Sequence, residues 1–193
     1  MPMHHPDEAM LVDYVSGALP EALSLVIVTH LALCPACRAE SVRLEAIGGA
    51  MLENGPTTAI DTDSRSRALA AIERAGPDVP PPGAVRSVEP AVSAQVPILP
   101  QPLRSYLGGE PGDLAWRWRG SLSEAPIGLP GGFNARLMKI KRGAAMPRHG
   151  HHGMEYTLVL AGGFSDAQGH YLRGDLAVAD PANEHKPVAY PDE

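Results

Sequence analysis

The sequence predicts an α + β chain of two small domains, a helical bundle followed by an all-β sandwich or barrel, and three observations carry that prediction. Up to residue 74 apolar side chains recur at helical spacing. Residues 76–102 hold eight prolines and few large apolar side chains. Beyond them, short apolar runs alternate with glycines. A proline-dense stretch cannot pack a core and favours extended conformers, so it reads as a linker. The predicted division is therefore 1–76, a linker over 77–102, and a β domain over 103–193.

In the first domain Asp7 is placed to cap a helix over 8–16, where Met10, Leu11, Tyr14 and Val15 share a face and Gly17 supplies the stop. Pro20 suits the start of a second helix over 21–33. That helix is apolar nearly all round, through Leu23, Leu25, Val26, Ile27, Val28 and Leu31, and so must be covered on more than one side. A third opens at Pro35 and runs through Arg38, Val42, Leu44 and Ile47 towards Asn54-Gly55, with loosening expected at Gly48-Gly49. The Ala, Leu, Arg and Glu content of 64–74 predicts a fourth. In the second domain, 133–140, 156–160 and 176–179 read as strands.

Bulk composition narrows the function. With 193 residues, 44% hydrophobic and 20% charged, the chain is globular rather than wholly disordered. A net charge of −6 offers no basic face to displace counterions from phosphates, so no direct nucleic-acid partner is expected and a DNA-binding role for the helical domain is disfavoured. No apolar run reaches the roughly 18 residues of a membrane span, and the start Met1-Pro2-Met3-His4-His5-Pro6 lacks the basic and apolar regions of a signal peptide. A cytoplasmic location is expected. In that reducing setting the two cysteines, Cys34 and Cys37, point to metal ligation or redox chemistry ahead of a structural disulfide.

His30 and Cys34 are four apart near the end of the second helix and share a face, and Cys37 follows across the start of the third. Three ligands can therefore converge, one short of a tetrahedral zinc site. The fourth must come from elsewhere: His4 and His5 precede the first helix, with Glu8 a poorer oxygen candidate. The competing readings are two inert buried cysteines and a redox dithiol, but a thioredoxin-like CxxC follows a strand, and this context is helical.

His30-Leu31-Ala32-Leu33-Cys34-Pro35-Ala36-Cys37, with Leu19-Pro20-Glu21-Ala22-Leu23-Ser24-Leu25 before it, resembles the HxxxCxxC region of ChrR-type zinc-binding anti-sigma factors. The resemblance implies His5 as the N-terminal ligand, completing a zinc set of His5, His30, Cys34 and Cys37. It also implies a 1:1 heterodimer in which the helical domain wraps a group IV (extracytoplasmic-function) sigma factor and blocks its access to core RNA polymerase. The apolar surface of the second helix would suit such a partner.

Farther on, Gly143, His149, His151, Glu155 and Gly162 match the first cupin motif, G(x5)HxH(x3)E(x6)G, at every anchor. Gly174-Asp175-Leu176-Ala177-Val178-Ala179-Asp180-Pro181, ending at His185, resembles the second, with its late proline and glycine replaced around Ala182-Asn183-Glu184. The implied fold is a jelly-roll cupin. Alternation along a strand puts His149 and His151 on one side, and Glu155 and His185 close the set. Three imidazoles and a carboxylate suit zinc, iron, manganese or nickel; the family resemblance implies a second zinc. His152 and His170 read as surface histidines. Eight residues follow His185, fewer than a cupin normally uses to close its barrel, which predicts either a C-terminal truncation or an open sheet.

Two functions follow. In the first, a non-enzymatic regulator, the helical domain sequesters a sigma factor and the cupin domain mediates release in response to singlet oxygen or organic peroxide. In the alternative, the cupin is a metal-dependent dioxygenase or isomerase and the helical part an accessory.

Overall fold

The structure is a computed structural model that describes residues 1–75, 99–150, 152–182 and 184–191. Asp7 caps α1 (Glu8–Val15), its carboxylate accepting the Met10 N–H at 2.7 Å, one of the donors a helix start leaves open. Gly17 follows at φ +74. The second helix, α2, spans Glu21–Leu33, and α3 spans Pro35–Glu53 without a break at Gly48-Gly49. Cys34 ends α2 and begins α3, and its sulfur accepts the Cys37 N–H at 3.5 Å. The fourth helix, α4 (Ser64–Ala75), buries none of its residues.

A fifth helix, α5 (Gln101–Leu107), starts inside the stretch expected to be linker. Most of that stretch, 76–98, lies outside the described residues, but Leu99 is 2% exposed and Leu103 5%. Proline is tolerated in a first helical turn, and Leu99, Leu103 and Leu107 recur every fourth residue, a stripe that the proline count obscured.

Beyond a 3₁₀ turn at Pro111–Asp113 the chain is β. Strands β1 (Arg117–Arg119), β2 (Leu122–Ile127) and β3 (Ala135–Ile140) form an antiparallel sheet in that order. β4 (Glu155–Leu158) pairs with β7 (Leu176–Ala179). β5 (Gly163–Ser165) lies between β6 (His170–Leu172) and β8 (Val188–Ala189). The three expected strands are present as β3, β4 and β7. The residues after His185 supply β8, whose flank is tied down by Tyr190 N–H donating to Gly163 O at 3.0 Å.

Two apolar cores meet at α2. On one side Leu11, Ile27, Leu31, Cys34 and Cys37 pack with Leu176 of β7, and Tyr156 and Leu158 of β4 lie against them. On the other, Leu25 packs with Leu99 and Leu103 around α5 and with Ala125 and Leu137 of the first sheet. This explains the all-round apolarity of α2: the helix is interior to the chain, clasped by its own bundle and by the β domain. The surface expected to greet a partner is thus largely consumed within the chain. In the later helical part, exposed apolar side chains include Val42, Ile47, Met51 and Leu52 of α3, Ile60, and Leu69 and Ile72 of α4.

Among the described residues no single helix is long and apolar enough to cross a membrane; α2 and α3 together reach that length only around a 118° bend.

Candidate metal centres

The helical centre is assembled from three short pieces of chain. His5 comes from the segment before α1, His30 from the last turn of α2, and Cys34 and Cys37 from the α2–α3 corner. Their ligand atoms all lie within 4.8 Å of one another. His5 Nδ1 faces both sulfurs, 3.4 Å from Cys34 Sγ and 3.3 Å from Cys37 Sγ. His30 and Cys34 are fully buried, and Cys37 is 6% exposed. Of the two histidines that could complete the set, the structure brings in His5, while His4 turns towards Tyr171 and Asp175.

His30 tests whether a metal fits. Its Nδ1 lies 2.8 Å from Gly174 O and must donate to it, which leaves Nε2 an acceptor. That Nε2 is buried and meets no hydrogen-bond partner among the described residues, a costly state that a cation in the cluster would relieve. Burial also holds His30 below its ordinary pKa, keeping the ring in the neutral form a ligand requires. Burial first, then the hydrogen bond and charge of Cys34 and the charge of Glu40, push the Cys37 thiol up to about 12, so a metal must expel its proton.

The second centre gathers His149, Glu155 and His185, whose ligand atoms also lie within 4.8 Å of one another. His151 lies outside the described residues. His149 sits in an isolated antiparallel bridge with His185 rather than in a strand. Glu155 opens β4, where Thr157 Oγ1 donates to its carboxylate at 3.1 Å. His149 Nδ1 is 2.8 Å from Pro147 O, and His185 Nδ1 is 2.9 Å from Asp166 Oδ2. Both rings, when neutral, therefore carry the proton on Nδ1 and turn lone pairs towards each other across 3.2 Å between their Nε2 atoms. A cation held by the two nitrogens and the Glu155 carboxylate satisfies that arrangement. A cavity of about 60 Å³ adjoins the site, lined in part by Met138, Met146, Phe164 and Ala179.

Sequence reading missed Asp166 and Asp175, which contact a candidate ligand, His185, and the segment that carries another, His5. Asp166, its side chain 3% exposed, also accepts from Gln168 N–H and Gly169 N–H at 2.9 and 3.2 Å, a loop geometry with no spacing signature. Asp175 is buried, which opposes ionisation, yet the N–H groups of Leu172, His4 and Met3 prevail and hold its carboxyl below the ordinary value.

Comparison with known proteins bears on both halves. The "Putative zinc-finger" family matches residues 8–38, and the "ChrR Cupin-like domain" family matches residues 130–193. The chain is 38% identical over 187 residues to the anti-sigma-E factor ChrR of Cereibacter sphaeroides, covering 96% of this chain and 83% of that protein. It is also similar to a chain in the crystal structure of Rhodobacter sphaeroides SigE in complex with the anti-sigma ChrR, at TM-score 0.80 and 36% identity, covering 100% of this chain and 95% of that one.

Proposed function

The chain belongs to the ChrR family of anti-sigma factors, and on that premise we propose that it binds a group IV sigma factor as a 1:1 heterodimer and withholds it from core RNA polymerase. The cupin domain releases the sigma factor when it meets singlet oxygen or organic peroxide. The observation that carries the reading is the full-length likeness to a chain solved with its sigma factor bound.

The surface supports it. Val42, Ile47, Met51 and Leu52 on α3 and Leu69 and Ile72 on α4 are all exposed, more apolar side chains than a free helical pair needs to show water, and they offer a partner a non-polar face. Zinc in the helical centre is favoured by its donors, two thiolates and two imidazoles. The four ligands would cross-link the N-terminal segment to α2 and α3, so that metal-binding energy becomes folding energy in a bundle of short helices. His149, His151, Glu155 and His185 hold the second metal, zinc by family likeness, with iron, manganese and nickel compatible with the same donors.

The likeness over nearly the whole chain is to a regulator, and it favours that reading over a metal-dependent dioxygenase or isomerase. The regulator acts in the cytoplasm, where its polymerase target resides.

Transcription in vitro tests the proposal, using core RNA polymerase and the group IV sigma factors of the source organism in turn. An equimolar amount of the chain is expected to silence sigma-dependent transcripts, and Cys34→Ala or Cys37→Ala to restore them. Unchanged transcription under a large excess of the native chain would overturn it.

A further inference from the structure

The turn between β6 and β7 faces the helical centre from the β domain. Gly174 adopts φ +94, and a Cβ there would come within 2.6 Å of Pro2 and 3.4 Å of Leu33. Only glycine lets the turn close on both the N-terminal segment and the end of α2. Its carbonyl oxygen consequently reaches His30 Nδ1 at 2.8 Å. Asp175, 1% exposed, receives the Met3 and His4 N–H groups on Oδ1 and the Leu172 N–H on Oδ2. Leu176 N–H donates in return to His4 O at 3.1 Å, so residues 3 and 4 are fastened along the start of β7.

We propose that Gly174 and Asp175 are positioning residues for the helical metal centre: the Gly174 carbonyl fixes the His30 tautomer that aims Nε2 at the ligand cluster, and Asp175 pins the segment that delivers His5 to the two sulfurs. The inference rests on reading His5, His30, Cys34 and Cys37 as metal ligands. It makes the β domain part of that centre's outer shell, the layer that sets ring orientation and metal retention. It also gives the two centres a shared part. β7 runs from this turn to Ala179, which pairs with Glu155 of the second centre. Asp175 and Ala179 are four residues apart, about 13 Å along an extended strand, so displacement of β7 at the second centre reaches the residues that hold His5 and His30.

Cobalt substitution of the full chain tests this, because only the helical centre contains thiolates and only it can give a sulfur-to-cobalt charge-transfer band. Competition with a chelator, followed on that band, is compared for the native chain, Asp175→Ala and Asp175→Asn. The expected result is a loss of cobalt affinity at the thiolate site of roughly 10–100-fold in Asp175→Ala. Asp175→Asn, which keeps an acceptor, should lose less, and the thiolate-free cobalt should be held as before. If Asp175→Ala does not fold, Asp175→Asn decides alone. Native affinity at the thiolate site in the folded variants would overturn the inference. Absence of the charge-transfer band from the native chain would instead overturn the ligand reading beneath it, and the inference with it.

Discussion

His30 Nδ1 and the carbonyl oxygen of Gly174 lie 2.8 Å apart across 144 residues of sequence. The bond joins the last turn of α2 to the turn that opens β7, beside the core where Leu176 packs with Ile27 and Leu31. The helical and β parts thus share a packed seam.

A shared seam predicts shared stability. Leu176→Ala removes a fully buried side chain from a core built mainly by helices, and should cost about 2–5 kcal/mol. Thermal unfolding followed separately by helical and aromatic signals should show both halves losing stability together. A loss confined to the β signal would show that the seam carries no energy.

Asp166→Asn should weaken the second centre without touching the first. The Asp166 carboxylate orients His185 through Nδ1, and losing such a partner typically lowers metal affinity about 10–100-fold. Metal analysis after dialysis against a graded chelator should show the metal outside the thiolate site leaving first. Equal retention by variant and native chain would remove Asp166 from the account.

Proton release should accompany metal uptake. The raised Cys37 value stabilises the metal-free fold below the thiol's ordinary 9.0, a contribution lost as pH climbs from there towards about 12. The lowered His30 value contributes above 6.5 and is lost as pH falls beneath it. Metal must displace the Cys37 proton, so affinity should fall at least about tenfold for each unit of acidification across neutral pH. Calorimetry in buffers of differing ionisation enthalpy measures the protons released, and a value of zero would contradict the assignment.

The exposed stripe on α4 should matter to the partner and not to the fold. Leu69→Asp with Ile72→Asp removes apolar surface that no described residue buries, so stability should change by no more than about 0.5 kcal/mol. Capture of the sigma factor should drop sharply. Unaltered capture would place the interface elsewhere.

The helical half was the more legible in sequence, because its signals are local. Asp7 as a cap, Pro35 opening a helix and the four-residue step from His30 to Cys34 each act within a turn or two, and α2 has the bounds its pattern predicts. The convergence of His5 on the sulfurs and of His149 on His185 is long-range; family motifs pointed to it where periodicity could not. The short strands β1, β5, β6 and β8, two or three residues each, were not legible, since so few residues cannot show alternation. Nor were Asp166 and Asp175, whose roles arise from backbone donors brought together only by the fold.

The most direct test is metal content against sigma retention in the full chain co-expressed with its sigma factor, native and with Cys34 and Cys37 both changed to alanine. The account predicts about two zinc ions per native 1:1 complex, and a variant that loses the helical zinc and the sigma factor together. A variant that lacks that zinc yet retains a full complement of sigma factor would contradict the claim that the helical metal centre builds the anti-sigma grip.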